Sequence, residues 1–201
     1  MGRIQADALY AALDSLPEND NVSALPSANS SIGLFCFFPF MTSLTPTITT
    51  DLRWKPNVTV AAIIERDGRF LLVEEQTADG LRLNTPAGHL DFGESPLQAC
   101  IRETLEETAY SFLPNALVGI YLSGAGDTNL ANTTYLRFAF CGDLGALDSH
   151  RTLDTGIVRT LWLSPTELEA TAQRHRSPMV LRSVHDFLAG KRYPLEIIHT
   201  A

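Results

Sequence analysis

Residues 88–110, GHLDFGESPLQACIRETLEETAY, constrain this chain more than any other stretch, because they run a glycine loop into a helix that ends in carboxylates. The start of that helix is well specified. Ser95 serves as N-cap, Pro96 takes the first helical position where its missing N–H costs nothing, and Gln98 completes a capping box with Ser95. At about 100° per residue, Glu103, Glu106 and Glu107 share one face within roughly a quarter turn. They fall in the last two turns, where the helix dipole disfavours negative charge, and no Lys or Arg follows to offset it. Like charges one turn apart cost about 0.2–0.5 kcal/mol each and the dipole adds about 0.3–1 kcal/mol, so the helix end carries a penalty of about one or two kcal/mol. A solvated acidic face is the ordinary explanation of such glutamates, but it leaves Gly88, Glu94 and Arg102 at their spacing unexplained.

Three clustered carboxylates beside glycine backbone suit a hard divalent cation, which takes oxygen ligands and relieves their repulsion. Magnesium fits best, with manganese as a substitute. Such an ion binds polyphosphate, neutralises developing charge and acidifies an attacking water. The charge balance agrees: with 15 Lys and Arg against 23 Asp and Glu, the protein is poorly suited to neutralising a nucleic-acid polymer with its own side chains. An acidic protein that handles phosphates must recruit cations.

The 201 residues allow one domain and an appendage. Residues 1–50 differ in texture from the rest. Ala6 to Leu16 suggests a short amphipathic helix, Pro17 to Ser31 is a polar linker, and Ile32 to Met41 is a short apolar patch interrupted by Pro39. That patch is too short for a membrane span and lacks the basic flank of a secretory signal. Residues 1–50 are therefore expected to be a flexible extension dispensable for chemistry, with Met41 a possible true start, and residues 51–201 the domain. Cys36, Cys100 and Cys141 show no metal or redox spacing, so buried thiols in a reducing, cytoplasmic setting are expected.

From Val58 onward the chain is periodic. Val58 to Glu65 is rich in β-branched residues, Asp67-Gly68 signals a tight hairpin into Arg69 to Glu75, and Leu81 to Thr85 is a short strand. Pro86 to Gly93 reads as a loop. Ala116 to Leu122, Thr133 to Cys141 and Ile157 to Leu163 are further strands, and the Ser-Pro start recurs at Ser164-Pro165 and Ser177-Pro178. Strands, helix, strands, helix, helix predicts an α/β fold with a mixed sheet covered by helices.

Residues 88–110 resemble the signature box of the Nudix hydrolases, which cleave nucleoside diphosphates linked to another moiety. The resemblance implies an α/β/α sandwich with a loop–helix–loop metal site. By position it makes Glu103 and Glu107 the principal metal ligands, Glu106 a further or water-bridged one, and the Gly88 carbonyl another. Glu94 and Arg102 would orient the loop and helix, and Glu103 is the first candidate for general base. One departure is Ala109, where the family usually has Gly; a left-handed alanine there costs about 1–2 kcal/mol, so the helix end should be strained or re-routed.

Outside the box, Trp54-Lys55-Pro56, residues 84–90 (NTPAGHL), Tyr135 to Phe138 (YLRF), Arg176-Ser177-Pro178 and Lys191 to Glu196 (KRYPLE) are similar to the NudJ-type phosphatase branch. That branch releases phosphate from nucleoside di- and triphosphates and from a small diphosphate ester. Arg137, a guanidinium in an apolar strand that needs a partner, is a candidate for substrate phosphate, as is Lys55; Asn84 and His89 flank the loop, and Asp154 is a candidate supplementary acid. Three functions are open: a phosphatase-like hydrolase of phosphoanhydrides, a house-cleaning pyrophosphohydrolase that releases a nucleoside monophosphate, or a non-catalytic nucleotide sensor. The expected partner is a small phosphorylated molecule, with neither a polymer nor a membrane, and the expected state a monomer or homodimer.

Overall fold

A computed structural model describes residues 54–124 and 133–200. The expectations for residues 1–50, including Met41 and Cys36, lie outside the described residues. The strands are β1 (Asn57–Ile63), β2 (Glu65–Arg66), β3 (Arg69–Thr77), β4 (Gly80–Asn84), β5 (Ala87–His89), β6 (Tyr110–Ser123), β7 (Tyr135–Leu147) and β8 (Ile157–Leu163). The helices are α1 (Pro96–Thr108), α2 (Pro165–Ala170) and α3 (Met179–Leu188).

Two four-stranded sheets carry the domain. The first runs β5-β1-β7-β6 and is mixed, because β1 and β7 are parallel while the other pairs are antiparallel. The second is antiparallel: β3 pairs with β2, β4 and β8. Central β1 explains the arrangement. Val60 to Ile64 are all at most 1 % exposed, so this strand is covered on both faces and reads as an unbroken apolar run rather than an alternation.

Its side chains still alternate in destination. Ala61 and Ile63 join Phe70, Leu72, Ala139 and Val184 in one cluster, on the side covered by α3 and the second sheet. Val60, Ala62 and Ile64 join Ala99, Cys100 and Phe140 in the other, under α1. Each large side chain buried this way contributes about 1.5–3 kcal/mol. The metal-box helix is thus anchored by its apolar face to the most buried strand, which fixes where its acidic face can point.

Most predicted elements appear. Asp67 and Gly68 both have positive φ (52° and 74°), as the tight hairpin requires. Both halves of the capping box form at α1 and again at Ser164 of α2. Besides β7, which runs on to Leu147 where Cys141 was the expected end, three features differ. The loop from Pro86 contains β5, three residues too short to carry a periodicity. β6 is twice the predicted length, continuing through Pro114 with register shifts on either side; it is the edge strand, where proline is tolerated. α3 begins at Met179, after a helical Pro178, and the Ser177 hydroxyl accepts from the Met179 N–H at 3.3 Å instead of acting as the N-cap.

Ala109 ends α1 at φ 60° and ψ 8°, and its N–H donates to the Leu105 carbonyl at 3.0 Å. The helix end is strained and not re-routed: alanine occupies the left-handed position in glycine's place. The connection from β7 to β8 covers this end, with the Asp148 N–H donating to the Ala109 carbonyl and the Asp154 N–H to the Glu106 carbonyl, each at 2.9 Å. Cys100 and Cys141 are free, buried thiols. Among the described residues no helix is long and apolar enough to cross a membrane.

Candidate metal and substrate site

Arg102 is the hub of the box. Its Nη1 donates to Glu103 Oε1 at 2.7 Å and to Glu106 Oε2 at 3.1 Å, one helical turn on. Its Nη2 donates to Glu94 Oε1 at 2.6 Å and to the His89 carbonyl at 3.0 Å, and its Nε to Glu94 Oε2 at 3.1 Å. Glu94 Oε1 also accepts the Asp91 N–H at 2.8 Å, which closes the loop on itself. The helix dipole penalty is therefore offset from within, by a planar donor fork one turn upstream, and not by a basic residue after the helix. The hydrogen bonds from Arg102 hold the Glu94 carboxyl below its usual range, and those same bonds, Glu94's first, raise the Arg102 proton affinity.

The other two glutamates go the opposite way. Burial raises the Glu103 pKa despite the bond from Arg102. Burial pushes Glu107 up to about 8, and the nearby Glu103, Glu75 and Asp154 add to it, although the Ala87 N–H donates to Glu107 Oε2 at 2.8 Å. Packing these carboxylates away from water without full compensation makes protonation the easiest relief.

β5 shapes the loop side of this site. A Cβ on Gly88 would overlap the Glu103 carboxyl group, so any larger residue there would push that side chain out of its place beside the loop. Register then sorts the peptide groups. Ala87 pairs with Ala61, and its N–H turns outward to Glu107; its carbonyl shares that direction. Gly88 pairs with Val60 between two bonds to β1, Ala62 N–H to Pro86 and Leu90 N–H to Val58, so its carbonyl faces into the sheet. The carbonyl available beside the glutamates is that of Ala87, not Gly88.

A second group of polar side chains lies next to this one, drawn from distant parts of the chain. Arg137 stands opposite Thr59 on β1. Its Nη1 and the Thr59 hydroxyl are both buried without a hydrogen-bond partner, as are Asn84 Oδ1 and Glu75 Oε1. Burial lowers the Arg137 pKa, while Glu75 and Glu107 act against that. Glu75 lies 3.8 Å from Arg176 Nε, an ion-pair separation too long for a hydrogen bond. Buried polar atoms are normally paired, so a cluster of unpaired ones beside an acidic helix marks a place where a ligand supplies the partners.

The predicted residues divide accordingly. Glu94, Arg102, Glu103 and Glu106 are brought together directly, and Glu107 joins them through Ala87 and burial. Asn84 and Arg137 belong to the second group. His89 contributes its carbonyl to Arg102, while its exposed ring lies 6.3 Å from that of Tyr135. Lys55 is exposed ahead of β1 and pairs with no other described residue. Asp154 reaches the site through its backbone bond to Glu106 and its charge on Glu107. Thr59 and Glu75 are not marked by the sequence, and Arg176 enters only within the similar segment Arg176-Ser177-Pro178; a carboxylate pair, Glu74-Glu75, ending the apolar run RFLLV is the signal available. Glu74 proves structural, clamped between Arg159, at 2.7 Å, and Arg174. A separate cavity of about 590 Å³ between β6, α3 and the C-terminal segment is lined by Tyr121, Arg182, Asp186 and Lys191. Its Asp186 is already bonded to Tyr121, Arg182 and Lys191, and none of the box glutamates lines it.

Among the described residues no three His, Cys, Asp or Glu side chains converge at metal-holding geometry. Arg102 donates to one oxygen each of Glu103 and Glu106, and the Ala87 N–H to one of Glu107, which leaves each carboxylate a second oxygen. The donor set nonetheless fits a divalent cation. It offers hard oxygens, with the Glu103 carboxylate seated against Gly88, and excess negative charge that burial makes costly.

A family model for the NUDIX domain matches residues 53–182. Phosphatase NudJ of Escherichia coli strain K12 is 38% identical over 146 residues, which cover 72% of this chain and 92% of that relative. Among solved structures, a NUDIX hydrolase from Nitrosomonas europaea is 52% identical with a TM-score of 0.69, covering 73% of this chain and 98% of that one. The E. coli ORF135 protein is 25% identical with a TM-score of 0.52, over 67% of this chain and 90% of that one. A box of the required spacing, folded as loop and helix against a mixed sheet, and matches over most of the domain lead to one conclusion: this chain belongs to the Nudix hydrolases, which cleave phosphoanhydride bonds and generally use a divalent metal.

Proposed function

We propose that the protein is a magnesium-dependent hydrolase that releases phosphate from nucleoside di- and triphosphates or small diphosphate esters, with manganese able to substitute. One observation carries this reading: two glutamates of raised proton affinity, the buried Glu107 and the half-buried Glu103, lie near Arg137, a half-buried arginine whose Nη1 is itself buried and unpaired among the described residues. The first group calls for a cation and the second for an anion. A metal-bound diphosphate satisfies both.

When bound, the metal supplies charge neutralisation at phosphorus and a more acidic water. Glu103 and Glu107 would hold it as principal ligands, Glu106 would be a further or water-bridged one, and the Ala87 carbonyl would take the place first given to Gly88. Arg102, fixed by Glu94, aims Glu103 and Glu106. Glu103 also accepts the proton of the attacking water. Arg137 orients the phosphate, with Asn84 and His89 at the edge of the cleft and Lys55 contributing long-range attraction. The name of the E. coli relative, a phosphatase, supports phosphate as the product. Activity resides in residues 51–201, and residues 1–50 are dispensable. Free buried thiols fit a reducing, cytoplasmic setting, and the protein acts on small molecules as a monomer or homodimer.

The test is to measure phosphate and pyrophosphate release over a panel of nucleotides and diphosphate esters, with magnesium, with manganese and with chelator. Metal-dependent phosphate release is expected. Pyrophosphate with a nucleoside monophosphate would assign the house-cleaning reaction instead, and nucleotide binding without turnover would make the protein a sensor.

A further inference from the structure

We infer that the cavity between β6, α3 and the C-terminal segment binds a small organic anion with an apolar body, its anionic group at Arg182 and Lys191 and its body against the edge of β6. This ligand is distinct from the phosphoanhydride substrate, so the inference goes beyond the hydrolase reading and does not depend on it.

The cavity is closed by the return of the chain after α3. Leu117 and Tyr193 exchange both of their backbone bonds, at 2.9 and 2.8 Å, which fixes the last segment beside β6 as one wall. Past that bridge β6 continues to Ser123 as the edge strand of its sheet. Helix α3 supplies a further wall, with Met179, Arg182 and Asp186 spaced three and four residues apart on one face. The volume, about 590 Å³, falls within the roughly 300–1,000 Å³ of small-molecule sites.

Two properties of the lining set the chemistry of the ligand. Its apolar members are left open: Ile120, Leu122 and Ile197 are 52%, 53% and 60% exposed, and Tyr193 is 46% exposed. Scattered single residues of this kind are ordinary, but four around one concavity are not. The second property is charge. The buried Asp186 accepts from the Tyr121 hydroxyl at 3.0 Å and from Arg182 Nε at 3.1 Å, and lies 2.9 Å from Lys191 Nζ. Burial and the bond to Asp186 push the Tyr121 phenol up, so it stays neutral. The charged lining residues, Arg182, Lys191 and Asp186, therefore leave one net positive charge. Asp186 orients both cations yet uses only part of their donors, because the two Nη atoms of Arg182 bond nothing among the described residues and the Lys191 ammonium has further N–H groups. A bare inorganic anion would leave the apolar wall wet, and a hydrocarbon would desolvate the guanidinium without replacing its bonds. A carboxylate, sulfonate or phosphate monoester on an aromatic or aliphatic body meets both demands.

The test titrates two dyes into the full chain and reads fluorescence and stoichiometry: anilinonaphthalene sulfonate, an aromatic body with a fixed negative charge, and its uncharged counterpart phenylnaphthylamine. One sulfonate per chain is expected, bound about 10-fold or more tightly than the uncharged dye. Arg182→Met should remove that preference and leave the uncharged dye in place, while Arg182→Lys should keep part of it. Ile120→Glu should weaken both dyes by about 10-fold or more. Magnesium imidodiphosphate, which is directed at the cleft beside α1 and resists hydrolysis, should displace neither. The Arg182 side chain is 62% exposed, so its replacement spares the core, and melting temperatures of all variants check this. Equal binding of the two dyes by wild type overturns the inference. So does a sulfonate affinity that is unchanged in both Arg182→Met and the Arg182→Met, Lys191→Met double variant, or displacement by magnesium imidodiphosphate. If a second copy covers this edge instead, sedimentation gives a dimer that Ile120→Glu splits and that binds neither dye, which also overturns it.

Discussion

The acidic end of α1 and the arginine cleft beside it solve opposite electrostatic problems by opposite means. Around α1 the chain neutralises itself: one guanidinium, Arg102, bonds Glu94, Glu103 and Glu106 and a loop carbonyl, and the loop is closed before any ligand arrives. In the cleft the chain stops short, leaving Thr59, Glu75, Asn84 and Arg137 with buried atoms that bond to nothing among the described residues. The first region is preorganised by its own residues, and the second is left incomplete, as the proposed substrate site would be. Preorganisation suits a metal site that must hold one geometry through many turnovers, whereas unpaired donors give selectivity, since a molecule lacking the matching acceptors leaves their desolvation uncompensated.

The strongest test of that contrast is Glu107→Gln. The amide keeps the bond from the Ala87 N–H but cannot bind metal as a carboxylate, so activity should fall by about 10²–10³-fold. At pH 8 and above, the melting temperature of the metal-free variant should nevertheless exceed that of wild type, because a buried charge is gone. A lower melting temperature would mean that Glu107 is already compensated within the chain.

Arg102→Ala should cost about 2–3 kcal/mol in chelator, since it strands several carboxylates that share one partner, with magnesium restoring part of the loss. Thermal unfolding with and without metal reads both quantities. A smaller cost would show the acidic end to be no more self-sufficient than the cleft.

Titration distinguishes the regions further. The Glu107 pKa is raised from 4.5 to about 8, so the folded protein holds this proton more tightly than the unfolded chain does. Its stabilising contribution is complete below about pH 4.5 and is lost as pH rises towards about 8. In chelator, stability should therefore drop by about 1–3 kcal/mol between pH 5 and 8.5, and magnesium, which competes with the proton, should flatten or reverse that slope. A denaturant series at each pH checks the sign. The smallest effect concerns Ala109→Gly: relief of the left-handed alanine, less the entropy glycine adds to the unfolded chain, should yield about 0.5–1 kcal/mol, or a melting temperature about 1–4 °C higher.

The two regions also differ in how far the sequence discloses them. The box is local: Gly88, Glu94, Arg102, Glu103, Glu106 and Glu107 lie within 20 residues, and helical geometry alone brings the carboxylates to one face. Even there the choice of carbonyl depended on the β1–β5 register, which three residues of strand inside a glycine loop do not announce. The cleft is assembled from β1, β3, β4, β7 and the segment before α3, so its members are neighbours only after two sheets have formed. Arg137 could be suspected because a guanidinium in an apolar strand needs a reason. Thr59 fits any strand, and Glu75 is indistinguishable in sequence from its structural neighbour Glu74 until their partners are known.

The backbone bonds from Asp148 and Asp154 onto the end of α1 carry a further consequence, for motion. The last carbonyls of a helix usually face water and its final turn frays, but here two of them are held by the β7–β8 connection. The turn that carries Glu106 and Glu107 cannot open unless that connection lifts away. In hydrogen exchange, the amides of Asp148 and Asp154 should then open in concert with those of the final α1 turn, as one cooperative unit. The connection between β7 and β8 would be the timekeeper of the helix that carries the candidate metal ligands.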